Sequence, residues 1–288
     1  MNLVAVVLNW NGGEDTVAAL ESVASVPAIC VDNGSTDGSD ALVAERLPHV
    51  ELLRTGANLG FAAGNNVGIR RALERGADWV LLLNNDAVAE PGLPGALEHA
   101  AAARPDAGLL ACAILDEDGG AVQYAGATFN ARLGYSGRLQ TLVGDGLRDV
   151  GRADGAALAV SRAAVEQAGL LDESLFLYVE DVEWSLRIGR AGFAVVFVPD
   201  ARARHKGSTA SGGRASTTNL YYSTRNTIKV SEQYAPLPRG LRALRRCVVV
   251  GAHLAQSVSH PNRVAAARAV LAGWRDARAG RLGQRSSR

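Results

Sequence analysis

Five stretches of the chain gather polar side chains where chemistry could be done. Asp32-Asn33-Gly-Ser-Thr-Asp37 closes an apolar run. Its residues suit a tight strand-to-helix turn. Asp32 can equally accept the imide N–H of uracil or thymine, because an ionised carboxylate is purely an acceptor. Asn58-Leu-Gly60-Phe-Ala-Ala-Gly64-Asn65-Asn66-Val-Gly68 opens a helix, and helix N-termini favour anionic groups. The dinucleotide arrangement G-x-G-x-x-G is absent from it.

Asn84-Asn85-Asp86 ends a strongly apolar run. It is either a polar strand end turning into Glu90-Pro-Gly92 or a metal site. One carboxylate with diphosphate oxygens and water suffices for Mg²⁺ or Mn²⁺, which keep several non-protein ligands. In Phe176-Leu-Tyr-Val-Glu180-Asp181-Val-Glu183-Trp-Ser-Leu-Arg187, aromatics lead into adjacent acids at a helix start. Acids there fit the helix dipole as caps. Beside aromatic side chains, a desolvated carboxylate would also gain the proton affinity of a general base. His205, followed by Lys206, Gly207 and Ser208, lies beyond a strand and reads as an exposed loop histidine or as a second metal ligand.

The elements that must position these clusters alternate. Apolar runs at Leu3–Leu8, Ala28–Val31, Val50–Leu53, Trp79–Leu83 and Gly108–Leu115 are separated by stretches with helical spacing. Buried strands joined by helices predict an α/β fold with a mostly parallel sheet covered on both faces. Ligands bind beyond the carboxyl ends of such strands. Here Asn9–Asn11, Asp32–Asp37 and Asn84–Asp86 occupy three of those ends. Residues 116–150 are glycine-rich with weak periodicity, which predicts hairpins or a mobile loop. Regular signal returns at Ala156–Val160, Asp181–Ala191 and Ala194–Val198. After the polar stretch Lys206–Ser216 come helices at Thr217–Tyr234, Arg239–Ser257 and Pro261–Ala279, with a disordered tail over 281–288.

Bulk properties bound the partners. The 288 residues are 48% apolar and carry a net charge of +1, so nucleic acid has no electrostatic case as the main partner. Arginines crowd the chain from Arg239 onward, as a solvated helix face or an approach to an anionic surface. Three scattered cysteines show no metal spacing or disulfide framework, which favours a reducing cytoplasm. The start of the chain reads directly into a strand, and no apolar run approaches the roughly 18 residues of a membrane span.

Taken in order, the clusters resemble the family 2 glycosyltransferases, in particular the bacterial rhamnosyltransferase-like branch. The matching stretches are Val6–Gly12, Val31–Ser39, Asn58–Asn66, Leu82–Asp86, Asp154–Ala156, Phe176–Arg187, His205 and Tyr221–Asn226. The resemblance implies a GT-A fold over 1–235, with a nucleotide-sugar-binding half (1–115), an acceptor half (116–235) and a helical extension (236–280).

The resemblance also implies site roles. Asp32 contacts the base, with Asn9, Asn11, Asn33 and Asn58 near the nucleoside. Gly60, Asn65, Asn84 and Asn85 complete the donor site. Asp86 holds a divalent cation, with His205 as a further ligand. Asp181 is the base toward an acceptor hydroxyl, with Glu180 as second candidate. Gly155 and Ala156 lie against sugar or acceptor, and Arg225 helps neutralise the leaving diphosphate.

The implied reaction is inverting transfer of a sugar, such as L-rhamnose, from a dTDP- or UDP-sugar to a glycan, lipid-linked or secondary-metabolite hydroxyl. A non-catalytic nucleotide-sugar-binding protein on the same fold is the alternative. The Ala-, Gly- and Arg-rich composition suits a high-GC bacterial gene. Two departures stand out: the usual Asp-x-Asp is Asn84-Asn85-Asp86, and Arg239–Ala279 falls outside the match, free to pack on the catalytic domain, dimerise or rest on a membrane.

Overall fold

A computed structural model describes residues 1–142, 144–207 and 216–285. The first half alternates strand and helix: β1 (Leu3–Asn9), α1 (Gly13–Ser22), β2 (Ala28–Asp32), α2 (Ser39–Arg46), β3 (Glu51–Arg54), α3 (Phe61–Glu74), β4 (Trp79–Asn84), β5 (Ala87–Ala89), α4 (Leu93–Ala103) and β6 (Ala107–Leu115). Short strands follow: β7 (Val122–Tyr124), the hairpin β8 (Ala127–Asn130) and β9 (Tyr135–Arg138), and β10 (Arg148–Asp149). Then come β11 (Ala157–Ser161), α5 (Arg162–Ala168), a 3-10 turn at Glu173–Leu175, α6 (Glu180–Arg190), β12 (Ala194–His205), α7 (Thr217–Tyr234), α8 (Arg239–Ser257) and α9 (Arg263–Arg278).

One sheet runs in the order β10-β12-β6-β11-β4-β1-β2-β3. Strands β4, β1, β2 and β3 are mutually parallel, as are β6 and β12. β11 is inserted antiparallel between β4 and β6. Its reversed direction matters: the chain enters β11 where β4 ends, so Ala157 pairs with Leu83. The loop Asp154–Ala156 thereby meets Asn84–Asp86, and Asn84 N–H donates to the Ala156 carbonyl at 2.9 Å.

Every residue of β6 and nearly every residue of β1 and β4 is buried, as their unbroken apolar runs require. Helix α3 lies against β1 through Gly64 and Gly68, where an added Cβ would run into Leu8 and Val6. Those glycines permit close helix-sheet packing. The first N–H of α3, on Phe61, is already taken by the Phe176 carbonyl at 2.7 Å.

The C-terminal helices pack on the body of the protein. Leu220, Tyr221 and Tyr222 of α7 bury with Ala266, Ala269 and Val270 of α9. At Gly273 a side chain would collide with the backbone of α7. Among the described residues no helix is long and apolar enough to cross a membrane.

Two expectations change. β12 runs on past Pro199, with a register shift between Val198 and Arg202, and ends at His205. The alternation Ala201, Ala203, His205 buried against Arg202 and Arg204 outward is a period-two signal readable in the sequence. The tail is not structureless over 281–285: Gly283 N–H donates to the Ser174 carbonyl at 2.6 Å, and Arg281 pairs with Asp276. Ser208 lies outside the described residues.

Candidate active site

The sheet's polar strand ends, the Asp154–Ala156 loop, the start of α6 and the start of α7 enclose a cavity of about 970 Å³. Asp86 and His205 lie on its wall together with Glu180 and Asp181. Asn33, Asn58, Gly60, Asn84, Asn85, Gly155 and Ala156 also line it. Residues up to 277 positions apart in the chain, Leu8 and Arg285, therefore share one space.

The cluster at the ends of β1 and β2 has a buried hydrogen-bond frame. Asn9 Nδ2 donates to Asp32 Oδ1 at 3.0 Å and to Ser39 Oγ at 2.9 Å, while Thr16 Oγ1 donates to Asn9 Oδ1 at 2.8 Å. Asp32 Oδ2 accepts from Ser35 N–H at 3.3 Å. Asn33 Nδ2 reaches the Gly60 carbonyl and its Oδ1 accepts from Leu59 N–H, tying β2 to the start of α3. Asn9 and Asp32 stand behind the wall rather than on it. Asn11, left-handed at φ 53°, accepts from Thr36 N–H and bridges two loops outside the wall. Asn65 is buried off the wall and donates Nδ2 to the Phe61 carbonyl within its own helix.

At the start of α6, Asp181 Oδ2 accepts from Gly155 N–H at 3.2 Å and from Arg152 Nη1 at 3.3 Å, and Oδ1 accepts from Val182 N–H at 2.8 Å. Asp154 pairs with Arg138 at 2.5 Å. Burial, opposed by Arg152 and aided by Asp154, raises the Asp181 carboxyl above the usual range. Burial works the same way on Asp154, but Arg138 and Arg152 outweigh it and hold that carboxyl low. Glu180 is pushed up to about 8, by burial first and the Asp181 charge second. Its Oε2 is buried without a hydrogen bond, which an ionised oxygen would not tolerate. Burial thus favours the protonated form of Glu180, while three donors offset part of the rise that burial imposes on Asp181.

Backbone strain concentrates before this pair. Phe176, Tyr178 and Val179 have φ of 64°, 64° and 73°, and a β-branched residue at positive φ is an outlier. Asn226 holds the loop by donating Nδ2 to the carbonyls of Leu175, Leu177 and Tyr178 at 3.0, 2.9 and 2.7 Å.

Arg225 corrects an expectation. It is buried and off the cavity wall, donating to the carbonyls of Gly283 and Leu175 and to Asn226 Oδ1. Those bonds clamp the segments around Leu175 and Gly283 to α7. Arg138 and Arg152 escaped sequence reasoning because they lie in or beside the aperiodic segment 116–150. Only partnered arginines there would have marked them, and partners are invisible before folding.

His205 also departs from the exposed-loop reading. It is buried, pairs with Ala87 in register, and puts Nε2 3.1 Å from Asp86 Oδ1. That approach lacks hydrogen-bond alignment and leaves Nε2 unsatisfied. Two ligand atoms at right angles about 2.1 Å from one cation stand about 3.0 Å apart, so the pair fits a divalent ion. Among the described residues no group of three or more His, Cys, Asp or Glu side chains could hold a metal alone. Substrate oxygens would have to complete the shell.

The family model described as glycosyl transferase family 2 matches residues 5–150, just over half of the chain. The chain belongs to glycosyltransferase family 2. It is 34% identical over 264 residues to the N-acetylglucosaminyl-diphospho-decaprenol L-rhamnosyltransferase of Mycobacterium tuberculosis, covering 81% of this chain and 86% of that protein. It is 25% identical over 213 residues to the dTDP-rhamnosyl transferase RfbF of Shigella flexneri, covering 71% and 69%. The mannosyltransferase PcManGT from Pyrobaculum calidifontis, solved with GDP-Man and Mn²⁺, superposes with a TM-score of 0.56 at 16% identity over 94% of this chain and 75% of that one. That likeness concerns the fold, which is GT-A. This family 2 chain is a glycosyltransferase of the rhamnosyltransferase-like kind.

Proposed function

We propose that the protein moves L-rhamnose or a related deoxysugar from a dTDP-sugar, or less readily a UDP-sugar, to a hydroxyl of a lipid-linked diphosphate glycan, with inversion. The observation that carries this reading is the single cavity holding both the Asp86–His205 pair and Asp181. The names of the mycobacterial and Shigella relatives support the sugar, the nucleotide and the lipid-linked acceptor.

Asn33 and Asn58 on the wall flank the nucleoside, and Asp32, held by Asn9 behind the wall, supports the strand end that presents Asn33. Asp181 takes the proton of the acceptor hydroxyl. The freed oxygen attacks the anomeric carbon while the bond to the diphosphate breaks, and the nucleoside diphosphate leaves. One base suffices for a single displacement, which inverts configuration. Glycosidases need a second carboxyl because their leaving group must be protonated. Gly155 and Ala156 let the sugar approach Asp181 closely. Asp86 and His205 hold a divalent cation, Mg²⁺ or Mn²⁺, which supplies positive charge at the departing diphosphate. The cation bound to PcManGT supports that assignment.

The C-terminal helices rest on an anionic membrane surface on the cytoplasmic side. Leu241, Leu244, Val248 and Val258 stand exposed at 3, 4 and 10 residue steps along one face of α8 and its end, and Val264 and Leu271 stand exposed on α9. Residues 239–285 carry ten arginines and one acid. Exposed apolar side chains rimmed by cations complement acidic headgroups. Homodimerisation through the same face is the competing outcome.

The test is turnover with a panel of nucleotide sugars, Mg²⁺ or Mn²⁺, and a GlcNAc-diphosphate-lipid acceptor. Transfer from dTDP-rhamnose with inverted product stereochemistry is expected. Absence of transfer and hydrolysis with every donor would remove the catalytic reading.

A further inference from the structure

A departing diphosphate needs cationic contacts, and the cavity has few to give. Among the described residues its wall carries two guanidiniums, those of Arg138 and Arg285. Arg138 is paired with Asp154, Arg152 behind the wall with Asp181, and Arg225 is buried under carbonyl groups. Lys206 is taken by Asp15 and Glu117. Among the described residues Arg285 is the one guanidinium on the wall with no carboxylate within ion-pair distance.

Its placement is built rather than incidental. Gly283, left-handed at φ 77°, turns the chain back across the start of α7. Its N–H donates to the Ser174 carbonyl and its own carbonyl accepts from Arg225 Nη1, both at 2.6 Å. Arg285 N–H then donates to Tyr222 Oη at 2.8 Å, and the guanidinium sits 4.5 Å from the centre of the Tyr221 ring. A guanidinium over an aromatic ring keeps N–H edges free for bidentate contact with phosphate oxygens. The cation expected of Arg225 is thus transferred: Arg225 clamps the segment that presents Arg285.

We infer that Arg285 is a diphosphate-binding residue of this cavity. The inference rests on the proposed function, because a diphosphate must be the ligand. That group could belong to the donor or to the acceptor, whose lipid linkage in the mycobacterial relative is also a diphosphate.

The test uses the full chain, with Arg285→Ala and Arg285→Lys beside it. Binding of dTDP and dTMP is measured by calorimetry, and KM and kcat are measured for donor and lipid acceptor. Arg285→Ala is expected to weaken dTDP about tenfold or more and leave dTMP unchanged if the donor's diphosphate is held. If the acceptor's is held, dTDP binding stays constant while acceptor KM rises by a like factor at constant kcat. Arg285→Lys, which keeps the charge, should recover part of either loss. Equal weakening of dTMP and dTDP with a lowered melting temperature would mark Arg285 as structural and overturn the inference, as would unchanged constants throughout. Wild-type protein that binds no nucleoside diphosphate and transfers no sugar fails the functional reading itself, and the inference falls with it. Wild-type binding matched by Arg285→Ala removes Arg285 alone.

Discussion

Arg152 Nη1 lies 3.3 Å from Asp181 Oδ2, and the arginine is buried while the carboxylate faces the cavity. The pair sets how readily the proposed base gives up its proton. Burial raises the Asp181 carboxyl and Arg152 opposes that rise. Replacing Arg152 by Gln removes the opposition. The base must be ionised to work, so the acid limb of the kcat–pH profile should move to higher pH, by about one unit or more. An unmoved limb would detach Arg152 from the base.

Asp181→Asn keeps the shape, gives up one of two accepting oxygens, and cannot take the hydroxyl proton. A fall of about 10²- to 10⁴-fold in kcat is expected. Calorimetric affinity for the nucleoside diphosphate should stay near wild type. Unchanged turnover would take the base role from Asp181, and Glu180→Gln would be the next variant to assay.

Glu180 affects stability in a direction that can be worked out. Its folded carboxyl titrates near 8 against 4.5 for the unperturbed group. Below about pH 4.5 both states hold the proton, so the group is neutral to folding. Between that pH and about 8 the unfolded chain has lost it while the folded chain retains it, so stability declines as pH rises through this window. Above the folded value the loss is complete. Glu180→Gln carries no titrating proton and should flatten the decline, giving a higher melting temperature than wild type at pH 9. Parallel curves for the two proteins would contradict the buried, protonated assignment.

The Asp86–His205 pair predicts a cation response. Asp86→Asn or His205→Ala should weaken Mn²⁺ affinity at least tenfold in the presence of the nucleoside diphosphate, read by the electron spin resonance of free Mn²⁺. Chelation should reduce wild-type transfer. Equal Mn²⁺ affinity in all three proteins would move the cation elsewhere.

The exposed face of α8 predicts a lipid effect. Leu244→Glu with Val248→Glu should abolish cosedimentation with phosphatidylglycerol vesicles while leaving transfer to a water-soluble acceptor intact. Wild-type binding should weaken at high salt and fail on uncharged vesicles. A dimer by light scattering that the double variant dissolves, without vesicle binding, would assign the face to a second copy.

Much of the fold was legible because buried parallel strands announce themselves as unbroken apolar runs, and Leu3–Leu8, Trp79–Leu83 and Gly108–Leu115 do so. The strand ends that carry Asp32 and Asp86 followed from that reading. Misplacements have one physical origin. A polar residue's partners are set by tertiary contact, so the engagement of Arg225 with the Leu175 and Gly283 carbonyls was not readable from its position in the chain. The same limit hid Arg138, Arg152 and the packing of residues 281–285. His205 was nearer to reach, since the Ala–Arg alternation over 201–205 marks a strand, but the interruption at Pro199 masked it.

The antiparallel insertion of β11 has a mechanical consequence. Because it is hydrogen-bonded on both sides, to β4 and to β6, the strands β4-β1-β2-β3 and β6-β12 share an uninterrupted ladder of amides. Such a slab has no seam along which one portion could swing against the other, so opening and closing must fall to the loops and helices at its rim. Divergence toward new acceptors would accordingly rewrite residues 116–150 and the segments around α7 while the slab stays as it is.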